Sequence, residues 1–429
     1  MTRSPFRLLR AFLVTCLLAA GSGCATDEPD PLVVLGPWTG AEGAAFEETL
    51  KALDDGTGRE YTYEGTRSLR ETLLSQMEAD DPPDVAILNS IGELTEYARR
   101  DKLRPLAGEA ADRAYSPWAP PLIVNDLDRE YWVPLKVDLK SLVWSRKRAS
   151  DDAPTWCVGL GSDATSGWPG TDWIEDILLH QQGPDFYERW ATGRVEWNDE
   201  AVKHAWTTWA RLLGDRSRAS VERSLTTSFE GGFDPGGNAR RGLLDTPGFD
   251  CTHEHQSAFV RYLYGDDVQV QPAARFLDGQ PEHDGVYEVA GDMAAVFSDD
   301  PGAQELVERL SSPEGRQRWR DKAGPAVRPL FPKTAGAAPT GSGDPVERRI
   351  HELLTEEART LCFDASDVMP PILRDAFHRA VLEFFRNPAD ARLDRLLEQL
   401  EAVRDQMDED YRGDDSFQPP DDICASQGG

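Results

Sequence analysis

YWVPLKVDLKSLVW, Tyr131 to Trp144, is the stretch on which the fold turns. Strand-forming residues dominate it, and it is longer than most strands of globular domains. That length implies a strand passing from one lobe to another. Upstream of it, strands and helices alternate. Residues 32–36 read as a short buried strand, turned by Pro37-Trp38-Thr39-Gly40. Residues 41–53 read as a helix with Ala45, Phe46, Leu50 and Leu53 on one side. A second strand covers 61–64. The helix over 68–77 opens with Ser68 and Glu71 at capping-box spacing. Asp81-Pro82-Pro83-Asp84 breaks it, residues 85–88 make a third strand, and 91–99 a further helix. This alternation predicts an α/β sheet with helices on both faces. Ligands of such sheets bind beyond the carboxyl ends of strands, where Trp38, Asn89 and Ser90 fall.

Downstream, residues 166–178 read SGWPGTDWIEDIL. Pro169 and two glycines predict a turn, then a helix after Gly170 with Thr171 or Asp172 as N-cap and Glu175 and Asp176 in its first turn. An aromatic loop feeding a helix start suits a polar, ring-shaped ligand, with Trp168 and Trp173 as stacking faces. Core anchoring of both indoles is the competing reading. Residues 198–213 predict a helix, with Trp197, Trp206 and Trp209 as core. Residues 251–264 read as a polar turn entering a strand or helix, and AGDMAAVF, 290–297, as a second crossing strand. Helices follow over 301–310 and from Pro313, capped by Ser312. An exposed loop is expected over 334–345, helices over 346–358, 372–385 and 389–407, and a polar tail over 411–429 that Cys424 alone pins.

The chain has 429 residues, enough for two or more domains, and 76 acidic against 46 basic residues. A net charge of −30 excludes the basic surface that nucleic-acid binding needs. Arg3, Arg7 and Arg10 precede a short apolar run, 11–20, and then Gly21-Ser22-Gly23-Cys24. This is an export signal over residues 1–24, too short to span a bilayer. Loss of residues 1–23 takes three arginines and leaves −33. Cys16 goes with the signal. Cys157, Cys251, Cys362 and Cys424 then read as two disulfides with three possible connectivities.

Seven segments in order resemble a known family: PPDVAILNSIGEL (from Pro82), VPLKVDLKSLVW (from Val133), SGWPGTDWIEDIL (from Ser166), CTHEHQSAF (from Cys251), AGDMAAVF (from Ala290), SSPEGRQRW (from Ser311) and FDASDVMP (from Phe363). They are similar to the extracellular solute-binding lipoproteins of carbohydrate ABC importers, in the maltose and α-glucoside branch. The resemblance implies a two-lobed periplasmic-binding-protein-like fold of type II, α/β in class, with lobes joined by crossing hinge strands. The lobes would be 31–138 plus 292–328 and 139–291 plus 329–410. It implies a small oligosaccharide held in the cleft without chemistry or cofactor, and delivery to the permease subunits of the importer. It places the monomer on the extracellular face of the membrane through a lipid on Cys24, the end of a lipobox. The family's ligand positions carry over onto Trp38, Glu42, Asn89, Ser90, Asp138, Trp168, Asp172, Trp173, Asp292, Asp364 and Asp367. Gln256 faces the same space, and His378 stands where relatives often carry a stacking Trp. Relatives with cysteines at both places imply a Cys157–Cys251 bond. The second lobe looks trimmed, since only residues 145–155 fill the place of a usual helix.

Three chemistries compete with these readings. Cys251, His253 and His255 alternate as a metal corner would, but spacing is its only support, so no metal is assigned. Asp364 and Asp367 are spaced as a helical acid pair, which an exported glycoside hydrolase would use. Sequence-adjacent carboxylates are more often caps, and that role is preferred. A sugar-sensing subunit is the third alternative. A surface salt-bridge ladder of Lys136, Asp138 and Lys140 competes with ligand contact for Asp138.

Overall fold

The computed structural model describes residues 30–53, 59–237, 239–277, 283–331, 344–356, 358–410 and 419–426. The export signal with Cys24, most of the expected 334–345 loop, and residues 411–418 and 427–429 of the tail lie outside the described residues. No described helix is long and apolar enough to cross a membrane.

The strands are β1 (Leu32–Gly36), β2 (Tyr61–Gly65), β3 (Val85–Leu88), β4 (Leu122–Val124), β5 (Leu127–Arg129), β6 (Trp132–Leu139), β7 (Leu142–Arg146), β8 (His253–His255), β9 (Val268–Pro272), β10 (Val286–Val296), β11 (Thr360–Phe363) and β12 (Cys424–Ser426). A seven-stranded sheet runs β12-β11-β10-β3-β1-β2, with β6 also paired to β10. β1 pairs parallel to β2 and β3, as expected for strands joined by helices. β10 is antiparallel to both β3 and β6 and parallel to β11. A three-stranded sheet, β8-β7-β9, and the β4–β5 hairpin complete the pairing.

The run from Tyr131 to Trp144 is not one strand. β6 belongs to the large sheet and β7 to the small one, and the chain changes sheets at Lys140-Ser141. The Leu142 N–H donates to the Lys140 carbonyl at 2.6 Å, closing a tight turn that no single strand allows. Within β6, Pro134 lacks a backbone donor. The register slips between Asp292 and Met293 at that place, a bulge that accommodates the proline.

Helix Trp168–Gln182 begins three residues before its expected start. Gly167 takes φ 115°, and Pro169 occupies the first turn, where its missing N–H costs nothing. A Cβ on Gly167 would lie 2.3 Å from the His378 carbonyl oxygen. Glu175 and Asp176 therefore fall in the helix interior, fully buried, and not in a solvated first turn. The helix Leu69–Glu78 forms as expected, but Ser68 makes no side-chain cap bond. Ser90 and Ser312 do cap their helices, accepting from Glu93 and Gly315.

One apolar core runs along β6 and β10 through both halves of the molecule, and includes Trp197, Trp206 and Trp209. A second lies on the other face of the first sheet, around Trp38, Phe46 and Trp319. Residues 147–155 hold turns and no helix, as the trimmed second lobe requires.

Candidate functional site

β6 presents Lys136 and Asp138 two positions apart on one face, and Lys140 follows at the turn that ends the strand. Register places Asp292 of β10 opposite Lys136. The two carboxylates nearest Lys136 then come from different elements. Its Nζ lies 2.5 Å from Glu42 Oε1 and 3.4 Å from Asp292 Oδ2. Burial alone would lower the Lys136 ammonium, but Glu42 and Asp292 raise it above its usual value. The Trp38 indole N–H donates to Asp292 Oδ2 at 3.0 Å, and Lys136 Nζ lies 5.5 Å from the indole ring. Trp38 is wedged against Phe46 and Trp319 at centroid distances of 4.8 and 4.6 Å.

Lys140 turns to a different set. It bonds Asp172 Oδ1 at 2.9 Å and Asp364 Oδ2 at closer range, with Glu288 Oε1 3.8 Å away. Asp172, Glu288 and Asp364 are spaced as cation ligands, and the Lys140 ammonium occupies that place. Four carboxylates, these three and Glu175, compete for one cation. Burial holds Asp172 up to about 6 and raises Glu175 and Glu288 well above the usual range. Asp364 is equally buried, but Lys140 and the Ser366 hydroxyl hold it down to about 2. Its Oδ1 accepts from the Asp367 N–H at 2.9 Å, so Asp364 caps the short helix Ala365–Val368.

The expected ladder through Asp138 is not made, because Lys136 and Lys140 bond other acids. Asp138 is half-buried, and burial raises it to about 7. Asn89, exposed after β3, donates from Nδ2 to Asp367 Oδ2 at 3.2 Å. The Ser90 hydroxyl donates to the Asp367 carbonyl at 3.0 Å and caps its own helix. Arg374 bonds Glu93 Oε1 at 2.8 Å and stands 3.6 Å from Asp367 Oδ1. Burial, then Asp364, pushes Asp367 up to about 8.

Trp168 is half-buried, packed against Phe229 at 4.9 Å and Phe259 at 6.0 Å, with Lys140 Nζ 5.6 Å from its ring. Near it, buried Glu230 takes the Tyr262 hydroxyl and a forked pair of bonds from Arg67, each 3.4 Å. His378 is buried behind Gly167; burial and Arg374 push its imidazole down to about 3, so it is neutral. Gln256 is buried and spends its amide oxygen on the Ser257 N–H at 2.9 Å.

Three residues expected as ligand contacts are buried among protein partners. Trp173 is 2% exposed, with Trp156 at 4.7 Å and His255 at 4.5 Å against its ring, so it is a core anchor. Asp172 and Asp364 are buried and committed to the Lys140 knot. The metal corner does not form either. Cys251 is bonded to Cys157, His253 faces Thr252 and Asp151, and His255 bonds Asp176 at 2.8 Å. The second bond joins Cys362 to Cys424.

The residues missed are Arg67, Lys136, Lys140, Glu230, Arg261 and Tyr262. The two lysines carried a signal, since ammonium groups in an otherwise apolar strand require buried acids. Arg67, Glu230 and the adjacent Arg261 and Tyr262 come from three separate loops and turns, with no shared local pattern.

The profile of the family described as bacterial extracellular solute-binding protein matches residues 37–218. The match takes in Trp38, Asn89, the whole of the crossing run and the helix from Trp168. Over that stretch the chain is similar to bacterial extracellular solute-binding proteins. It is 27% identical to the alpha-glucosides-binding periplasmic protein AglE of Rhizobium meliloti (strain 1021), over 84% of each chain. The chain is also 27% identical to the osmoprotective compounds-binding protein GgtB of Synechocystis sp., over 83% of this chain and 89% of that one. Among solved structures, a chitin oligosaccharide binding protein superposes with a TM-score of 0.62 at 14% identity, covering 88% of this chain and 98% of that chain. That likeness shows a two-lobed α/β fold for this chain.

Proposed function

We propose that this solute-binding protein holds a small, neutral, α-glucoside-like oligosaccharide between its lobes and hands it unaltered to the permease of an ABC importer. The lobes are 31–138 plus 292–328 and 139–291 plus 329–410. The protein works as a monomer on the outer face of the cell membrane, tethered by a lipid on Cys24. The observation that carries the reading is the row of polar side chains on the shared face of β6 and β10. Trp38, Glu42, Asp138 and Asp292 gather there, with the half-buried Trp168 in contact with Lys140. An indole covers the apolar face of a sugar ring, and carboxylates accept several hydroxyls each. We assign Asn89, Asp367, Gln256 and His378 to the remaining wall on the family resemblance alone. The similarity to AglE across 84% of the chain supports the α-glucoside class.

No chemistry is assigned to the site. Of the acid pair a hydrolase would need, Asp364 is committed to a helix cap and to Lys140. The test is a thermal-shift screen over di- and trisaccharides, followed by calorimetry and product analysis. A raised melting temperature with an intact sugar is expected. Release of monosaccharide, or no shift with any sugar, overturns the proposal.

A further inference from the structure

We infer that Arg261 and Asp138 together grip a single ligand hydroxyl, and that this pair selects neutral sugars over acidic and amino sugars; the inference rests on the sugar-binding reading above. Arg261 lies in the turn Ala258–Leu263 and is 8% exposed. Its Nε donates to the Ala258 carbonyl at 3.2 Å and its Nη2 to the Arg328 carbonyl at 2.7 Å. Two backbone carbonyls thus fix the plane of the guanidinium. Its Nη1 is buried and has no hydrogen-bond partner among the described residues.

The segment that carries Arg328 runs beside β6, where the Val137 N–H donates to the Leu330 carbonyl at 3.0 Å. The next residue on β6 is Asp138, whose charge acts on Arg261, as do those of Glu347 and Asp344. Asp138 accepts no hydrogen bond or ion pair among the described residues, since its lysine neighbours hold other acids. A fixed donor and an uncommitted acceptor thus stand on packed elements.

A hydroxyl both accepts and donates. It takes the Nη1 hydrogen and gives its own to the Asp138 carboxylate. An acidic group would satisfy Arg261 and be repelled by Asp138. An ammonium group would do the reverse. Only a neutral hydroxyl satisfies both, so the pair discriminates by charge as well as by contact.

Calorimetry on the full chain tests this with maltose, maltotriose, trehalose, sucrose and raffinose, then with the uronic-acid and amino-sugar analogues of the tightest binder. The wild type is expected to take a neutral sugar and reject both analogues. Arg261→Met and Asp138→Asn should each weaken it about tenfold or more. The double variant should lose little beyond the worse single one, because both residues act on one hydroxyl. Selectivity should move in opposite directions, toward the amino sugar in Arg261→Met and toward the uronate in Asp138→Asn. Arg261→Lys replaces Arg261→Met if that variant melts early. Unchanged affinity in both single variants, or an unmoved ranking of the analogues, overturns the inference and leaves the sugar reading standing. A wild type that binds none of the five sugars overturns that reading, and this inference with it.

Discussion

Lys136 and Lys140 stand four residues apart, one within β6 and one just past its end, yet they serve different ends. Lys136 joins Glu42 and Asp292 around Trp38. Lys140 is sealed among Asp172, Glu288 and Asp364, where removal of the cation leaves buried carboxylates unpaired. Trp168 and Trp173 divide in the same way. Trp173→Ala should lower unfolding free energy by about 3–5 kcal/mol, as deletion of a core aromatic does. Trp168→Ala should weaken sugar binding with a smaller loss of stability; chemical denaturation and calorimetry on both variants separate the roles. Asp367 makes a pH prediction. Its folded-state value, about 8, lies above the ordinary 3.8, so the unfolded chain releases this proton first. Stability therefore falls as pH rises from about 4 to about 8. Asp367→Asn should flatten that part of the curve; a slope equal to the wild type's would show that Asp367 titrates alike in both states.

At the scale of elements, the decisive feature is the break between β6 and β7. One run of strand-forming residues serves two sheets, and the break falls on Lys140 and Ser141. Their side chains reach Asp172 and Asp364 in the one case and Asp176 in the other. The crossing between sheets and the buried polar network thus share the same residues. The Cys362–Cys424 bond closes 62 residues and holds β12 on the edge of β11. Cys424→Ser should cost up to about 4 kcal/mol on the chain-entropy account. Thermal melting of the variant checks this, and a melting temperature equal to the wild type's would show that β12 contributes no constraint. The pairing itself had only partial support in the sequence. Resemblance to relatives implied Cys157–Cys251, but a tail of polar residues gave no sign that it adds a strand.

Across the whole molecule, Arg67 and Glu230 are paired between the end of β2 and the loop before Phe233. Glu230 is buried and keeps Tyr262 and Arg240 when Arg67 leaves, whereas Arg67 is largely exposed. The contact is therefore easily broken and remade. Arg67→Ala should change stability by less than about 1 kcal/mol. It should also widen the sugar-free protein in small-angle scattering at low salt and match the wild type at high salt. An unchanged radius of gyration at low salt would show that this pair does not hold the lobes together.

The sequence by itself determined the parts that depend on neighbours along the chain. Strands β1 and β3 and the helix Ile91–Arg99 were legible to the residue, because apolar periodicity and caps are local. So was the placing of Trp38 and Asn89 at strand ends. The tertiary structure alone decided which polar groups meet. Arg261 beside β6, Arg67 on Glu230, and Lys140 among acids from three separate segments are contacts between residues far apart in the chain. Their partners are chosen by register and packing, and no spacing in the sequence encodes either. The same reason divides the two indoles of SGWPGTDWIEDIL: five residues along a helix turn one ring toward Lys140 and the other into the core.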